Sequence, residues 1–137
     1  MMFRQKAPRV SPTVLVVDDE SPIRSVARRI LEEDGYRVVE ASDGLEAVAL
    51  LSQGATVDLV VADLEMPKLG GDEMVCRIRW AQPDLKVLYV TGFIDKLMDS
   101  RQLWEGEAFL DKPFTTVGLR EAVSLLLFGT IRRKGAL

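Results

Sequence analysis

Histidine is absent from this chain. Its absence removes imidazole as general base, metal ligand and phosphoryl carrier, and so excludes serine triads, His-ligated zinc sites and histidine kinase chemistry. What remains is the chemistry of carboxylates, hydroxyls and lysine. Cysteine occurs once, as Cys76, so no internal disulfide can form, and a reducing cytoplasm suits the chain. No apolar run approaches the roughly 20 residues that cross a bilayer, so no membrane span is expected. A secretory signal is lacking too: Arg4, Lys6, Pro8, Arg9 and Pro12 precede an apolar stretch four residues long that ends in acids. Residues 1–12 read as an N-terminal arm. The net charge of −3 also lacks the basic excess that marks a nucleic-acid-binding surface.

The 137 residues, 47% apolar and 28% charged, suffice for one core and are too few for two, since a domain of this size buries roughly 70% of the surface its unfolded chain exposes. Short apolar runs at 14–17, 36–41, 59–62, 87–90 and 108–110 alternate with helical patterns at 21–34, 45–53, 72–81, 94–104 and 115–128. This is β-α repeated five times, and it implies a parallel sheet with right-handed crossovers and helices on both faces. In the first helix Ile23, Val26, Ala27, Ile30 and Leu31 form one stripe, with Ser21 as N-cap, Pro22 at the first helical position and Gly35 past the end. "VLVV", "LVVA" and "VLYV" are apolar throughout, as strands buried on both faces must be, whereas Arg37 and Glu40 interrupt the second strand and "AFL" is short. The second and fifth strands are therefore expected at the edges, in the flavodoxin-like order 2-1-3-4-5. The folded unit spans 13–129, followed by a tail, 130–137.

In an open parallel sheet, ligands bind outside the carboxyl ends of the strands where strand order reverses, here between strands 1 and 3. Asp18 and Asp19 follow strand 1, Asp63 strand 3, Thr91 strand 4 and Lys112 strand 5. Carboxylates gathered with a backbone carbonyl and waters make an oxygen-rich seat for a hard divalent cation, and Mg²⁺ favours sites with few protein ligands and an incoming phosphate oxygen. Asp63 is then placed as a nucleophile toward phosphorus, with Lys112 neutralising the phosphoryl oxygens and Thr91 hydrogen-bonding one of them. Each residue taken alone has a plainer reading. Asp63 suits a turn in "ADLEMPKLGG", Thr91 suits a helix cap, Lys112 a solvated lysine, Cys76 a small core residue, and Trp80 and Trp104 helix-end packing. Their joint occurrence on one rim is the specific signal.

"VVDDE", "VVADLEMP", "VTG" and "FLDKPF", in that order, resemble the receiver domains of two-component response regulators over about residues 13–128. The resemblance implies Asp63 as phospho-acceptor, Asp19 as direct Mg²⁺ ligand, Asp18 acting largely through water, and Glu65 contributing its backbone carbonyl. It further implies Thr91 and Lys112 as the pair that reads the phosphoryl group, and a cis peptide bond at Lys112-Pro113. Phe109 stands at the aromatic switch position, without the hydroxyl of the Tyr that is also frequent there. The side chains of Glu65 and Phe93 fall where the family varies and tunes phosphoryl lifetime.

The implied partners are a sensor histidine kinase or phosphotransfer protein acting in trans, a downstream protein target, and a phosphorylation-linked homodimer. No direct nucleic-acid contact and no membrane contact are expected. The signal would leave through the surface of helix 94–104, strand 108–110 and helix 115–128. With Met1 at its start and nothing after "IRRKGAL", the chain reads as a stand-alone, cytoplasmic receiver. Two other readings stay open. A phosphatase with an aspartyl nucleophile would also use Asp63 and Mg²⁺, but such enzymes resemble an Asp-x-Asp pattern, whereas Leu64-Glu65 follow here. A non-phosphorylated interaction module of the same fold usually lacks one of the strand-end residues, and none is missing.

Overall fold

The computed structural model describes residues 11–92 and 106–131. The expected helix at 94–104, Phe93, Trp104, residues 1–10 of the expected arm and 132–137 of the expected tail lie outside the described residues. Five parallel strands, β1 (Thr13–Val17), β2 (Arg37–Ala41), β3 (Leu59–Asp63), β4 (Lys86–Thr91) and β5 (Glu107–Asp111), stand in the order β2-β1-β3-β4-β5. This is the expected flavodoxin-like sheet, with strand ends one residue longer than the apolar runs in most cases. The helices among the described residues are α1 (Ser21–Glu33), α2 (Gly44–Ser52), α3 (Gly71–Arg79) and a C-terminal helix (Thr116–Phe128).

Alternating strand residues face opposite sides, which gives two cores. Val14, Val16, Leu59, Val61, Leu88 and Val90 meet α1 and the C-terminal helix through Ala27, Ile30, Leu31, Leu119 and Val123. Leu15, Val17, Val60, Ala62, Val87 and Tyr89 meet α2 and α3 through Ala47, Met74, Val75 and Ile78. Full burial of each Leu or Val on these faces stabilises the fold by roughly 1.5–3 kcal/mol. All five β3 residues are buried, whereas β2 begins exposed and β5 ends exposed. The two edges are those the interrupted and short runs imply.

Local rules explain several helix ends. Asp43 caps α2 by accepting the Glu46 N–H, and Glu46 reaches back past the cap to accept the Ser42 N–H at 2.6 Å, a variant of the capping box displaced by one residue. Thr115 caps the C-terminal helix by accepting the Gly118 N–H. Gly35, at φ +94, turns the chain out of α1 in a conformation that side chains resist.

Four expectations are corrected. Glu20, not Ser21, is the N-cap of α1, without a side-chain cap bond; Asp18 Oδ1 accepts the Glu20 N–H and turns the chain one residue earlier. Val26 lies on the flank of its stripe and is 40% exposed. Cys76 is exposed because α3 buries Met74, Val75 and Ile78 instead. Trp80, at the C-cap of α3, is 87% exposed and so does not pack the helix end.

Candidate functional site

The carboxyl ends of β1, β3, β4 and β5 form one rim because the strands run in register. Val17 pairs with Ala62, Asp63 with Val90, and Thr91 with Asp111. Asp18, directly after β1, is buried, and so are Asp63 and Thr91, the last residues of β3 and β4. Asp19 and Glu20 are exposed. Lys112 follows β5, its N–H donating to the Thr91 carbonyl at 3.0 Å and its peptide bond to Pro113 cis.

Lys112 Nζ lies 2.9 Å from Asp18 Oδ2, 3.1 Å from Asp63 Oδ2 and 3.7 Å from Glu20 Oε2. Asp18, Asp19, Glu20 and Asp63 each offer a carboxylate oxygen within 4.8 Å of the others. The structure thus brings together Asp18, Asp19, Asp63 and Lys112, sets Thr91 at the neighbouring strand end, and adds Glu20. Its carboxylate was legible only as the third acid of "VVDDE", where its reach to the rim depends on the turn into α1. Glu65 is held by its N–H, which donates to Asp63 Oδ1 at 3.2 Å. Phe109, on β5, is partly buried, its ring centroid 5.6 Å from that of Tyr89.

Burial raises the Asp63 carboxyl above its ordinary range, with repulsion from Asp18 adding to it, against the hydrogen bond and attraction of Lys112. Burial pulls the Lys112 ammonium the other way, but its bonds to Asp18 and Asp63 leave it raised overall. The two shifts pull in opposite senses on one ion pair. Desolvation of a carboxylate at a strand end, beside a second acid, accounts for Asp63 remaining raised despite its partner. A carboxyl harder to ionise when folded than when unfolded costs stability above its folded pKa, and that cost disappears as pH falls toward the unfolded value. Asp63→Asn is therefore expected to raise the metal-free melting temperature at pH 7 by roughly 3 °C, with the gain shrinking toward about pH 4. A lower melting temperature at pH 7 would mean that the Lys112 pairing dominates.

Among the described residues, four carboxylates against one ammonium leave the rim short of positive charge, and a donor set made only of oxygens suits a hard divalent cation. The residues present therefore fit Mg²⁺.

A family model described as "Response regulator receiver domain" matches residues 14–124. The chain is similar to the sensor kinase CckA of Brucella abortus, 34% identical over 119 residues, which are 85% of this chain and 13% of that one. It is 28% identical over 116 residues to the sporulation initiation phosphotransferase F of Bacillus subtilis, covering 83% of this chain and 92% of that one. Among solved structures, the response regulator protein TrrA of Thermotoga maritima, in complex with Mg(2+)-BeF, superposes with a TM-score of 0.76 at 34% identity, covering 85% of this chain and 99% of the other.

Proposed function

Since the chain belongs to the receiver domain family of response regulators, in two-component phosphorelay signalling, we propose that it accepts a phosphoryl group on Asp63 from a partner's phosphohistidine. The observation that carries this reading is the buried Asp63 carboxylate at the end of a central strand, with Lys112 Nζ at 3.1 Å and three further carboxylates around it. An Asp63 carboxylate oxygen attacks phosphorus, the P–N bond breaks, and the leaving imidazole takes up a proton, giving an acyl phosphate and a free histidine.

Asp18, Asp19, Asp63 and the Glu65 carbonyl would hold Mg²⁺, with Asp19 as direct ligand, Asp18 acting largely through water and Glu20 close by. When bound, the metal supplies positive charge that keeps these acids ionised and offsets the charge on the phosphoryl oxygens. Lys112 is positioned to exchange its contact with Asp63 Oδ2 for one with a phosphoryl oxygen. Thr91 approaches a second oxygen. The movement of Thr91 leaves space that Phe109, lacking a hydroxyl to hold it at the surface, turns inward to fill. The changed face, which includes β5 and the C-terminal helix, then binds a downstream protein or a second copy. The donor is a sensor histidine kinase or a phosphotransfer protein in the cytoplasm, and the receiver unit is 13–129.

Acetyl phosphate with Mg²⁺ is expected to add one phosphoryl group, which peptide mapping by mass spectrometry places on Asp63. Asp63→Asn should remove the adduct. Undiminished labelling of that variant would overturn the assignment.

A further inference from the structure

We infer that Arg24 is a positioning residue for the cation site, fixing the Asp18–Asp19 peptide plane from α1 while Glu40 on β2 anchors its guanidinium. The inference rests on the reading of the rim as a Mg²⁺ site. Arg24 stands in the first turn of α1, and its Nη1 donates to the main-chain carbonyl of Asp18 at 2.7 Å. Its Nε donates to Glu40 Oε1 at 3.2 Å. The side chain is 17% exposed, so both bonds are largely shielded from water. Glu40 is held in turn by Arg28 Nη1 at 2.6 Å, and Arg28 Nε bonds Glu32 at 3.1 Å. The bond from Arg28, with that from Arg24 behind it, outweighs burial and keeps the Glu40 carboxyl below the ordinary range.

The bonded carbonyl belongs to the peptide that joins the two acids. That carbonyl lies one residue past the end of β1, where the Asp18 N–H still donates to the Ala41 carbonyl at 3.3 Å. Fixing the plane of the Asp18–Asp19 peptide fixes ψ of Asp18 and φ of Asp19, the two torsions that set where the Asp19 side chain stands relative to β1 and Asp18. A guanidinium suits this task because its planar fork serves two acceptors on different elements at once. An acid in the middle of an edge strand also gains a reason. Glu40 keeps Arg24 from swinging toward the carboxylates that the metal needs.

Charge and position make opposite predictions. As a bare positive charge near the rim, Arg24 would repel Mg²⁺, and its removal would tighten binding. As the residue that aims the ligands, its removal weakens binding. The metal-free protein is titrated with Mg²⁺ alone, following amide NMR shifts, and melting temperatures are recorded in parallel. Arg24→Gln is expected to raise the Mg²⁺ Kd about 10-fold, in the range of lost outer contacts to metal ligands. Arg24→Lys should recover only part of that, since one ammonium cannot reproduce the fork. Because Arg24→Lys keeps the positive charge, weaker binding in that variant cannot be electrostatic, and it carries the test if Arg24→Gln does not fold. A Kd unchanged or lowered, with only the melting temperature reduced, would overturn the positioning role. A wild-type protein that shows no Mg²⁺ saturation would instead overturn the reading of the rim, and with it any role for Arg24 there.

Discussion

Gly71→Ala is expected to destabilise the domain by about 3 kcal/mol and to cut phosphoryl acceptance at Asp63 roughly 100-fold. A Cβ built on Gly71 would press into the main-chain carbonyl oxygen of Asp63 and stand 3.2 Å from the Leu64 Cα. These are backbone atoms, which cannot rotate away. Gly71 N also donates to the Leu64 carbonyl at 2.9 Å, so the first turn of α3 is tied to the peptide one residue past Asp63. Helix propensity alone favours alanine over glycine by about 1 kcal/mol. The sign of the change therefore separates the two effects. Urea unfolding and acetyl phosphate labelling of the same variant measure it, and an alanine variant as stable as the parent would show that α3 can back away at little cost. Gly44, which opens α2, repeats the arrangement: its added Cβ would lie 2.8 Å from the Leu69 carbonyl oxygen.

Arg79→Met is the second large effect, about 3 kcal/mol of stability or roughly 10 °C of melting temperature, with little change in labelling chemistry once the protein is folded. The Arg79 guanidinium lies 2.6 Å from Glu107 Oε2 and donates to the Leu85 carbonyl at 3.0 Å. The Glu107 side chain is fully buried at the start of β5. Removing the cation withdraws a charged partner from a fully buried carboxylate, which costs more than the pair itself contributes. Arg79→Met combined with Glu107→Leu should regain most of the loss. Thermal unfolding of the single and double variants decides this, and a single variant within about 0.5 kcal/mol of the parent would mean that the pair does not hold β5 to α3.

Much of this architecture was legible in the sequence because strands buried on both faces leave an unmistakable record. "VLVV", "LVVA" and "VLYV" can only be central, and once their order is known, Asp18, Asp63, Thr91 and Lys112 must share one rim. Contacts that depend on how a side chain crosses between elements were not legible. Arg24 looks like an ordinary polar residue of α1, and nothing in its neighbours announces the Asp18 carbonyl. Arg79 and Glu107 are 28 positions apart, and their pairing follows only from the packing of α3 beside the start of β5. The differences on the helices have separate sources. Residue type favours the core for Cys76, but one step around a helix turns a side chain by about 100° and carries it from core to solvent. Val26 has the right spacing and stands on the exposed flank of its stripe, and the cap moves from Ser21 to Glu20 because Asp18 Oδ1 turns the chain there.

The parallel sheet has an electrical consequence. Each crossover helix must run back against the strands, so α1, α2, α3 and the C-terminal helix all begin at the end of the sheet where the strands finish. Each helix start carries the positive end of its macrodipole, equivalent to about half an elementary charge. The carboxylates of Asp18, Asp19, Glu20 and Asp63 therefore sit in a field converging from several helices, shortest in reach from α1, which starts directly after Glu20. That field is fixed by the backbone and needs no side chain. It favours dianionic groups arriving at the rim, and it weakens with added salt over a Debye length of about 10 Å at 0.1 M. A phosphoryl donor approaching this end of the molecule meets a surface whose side chains are acidic and whose peptide dipoles are oriented in its favour.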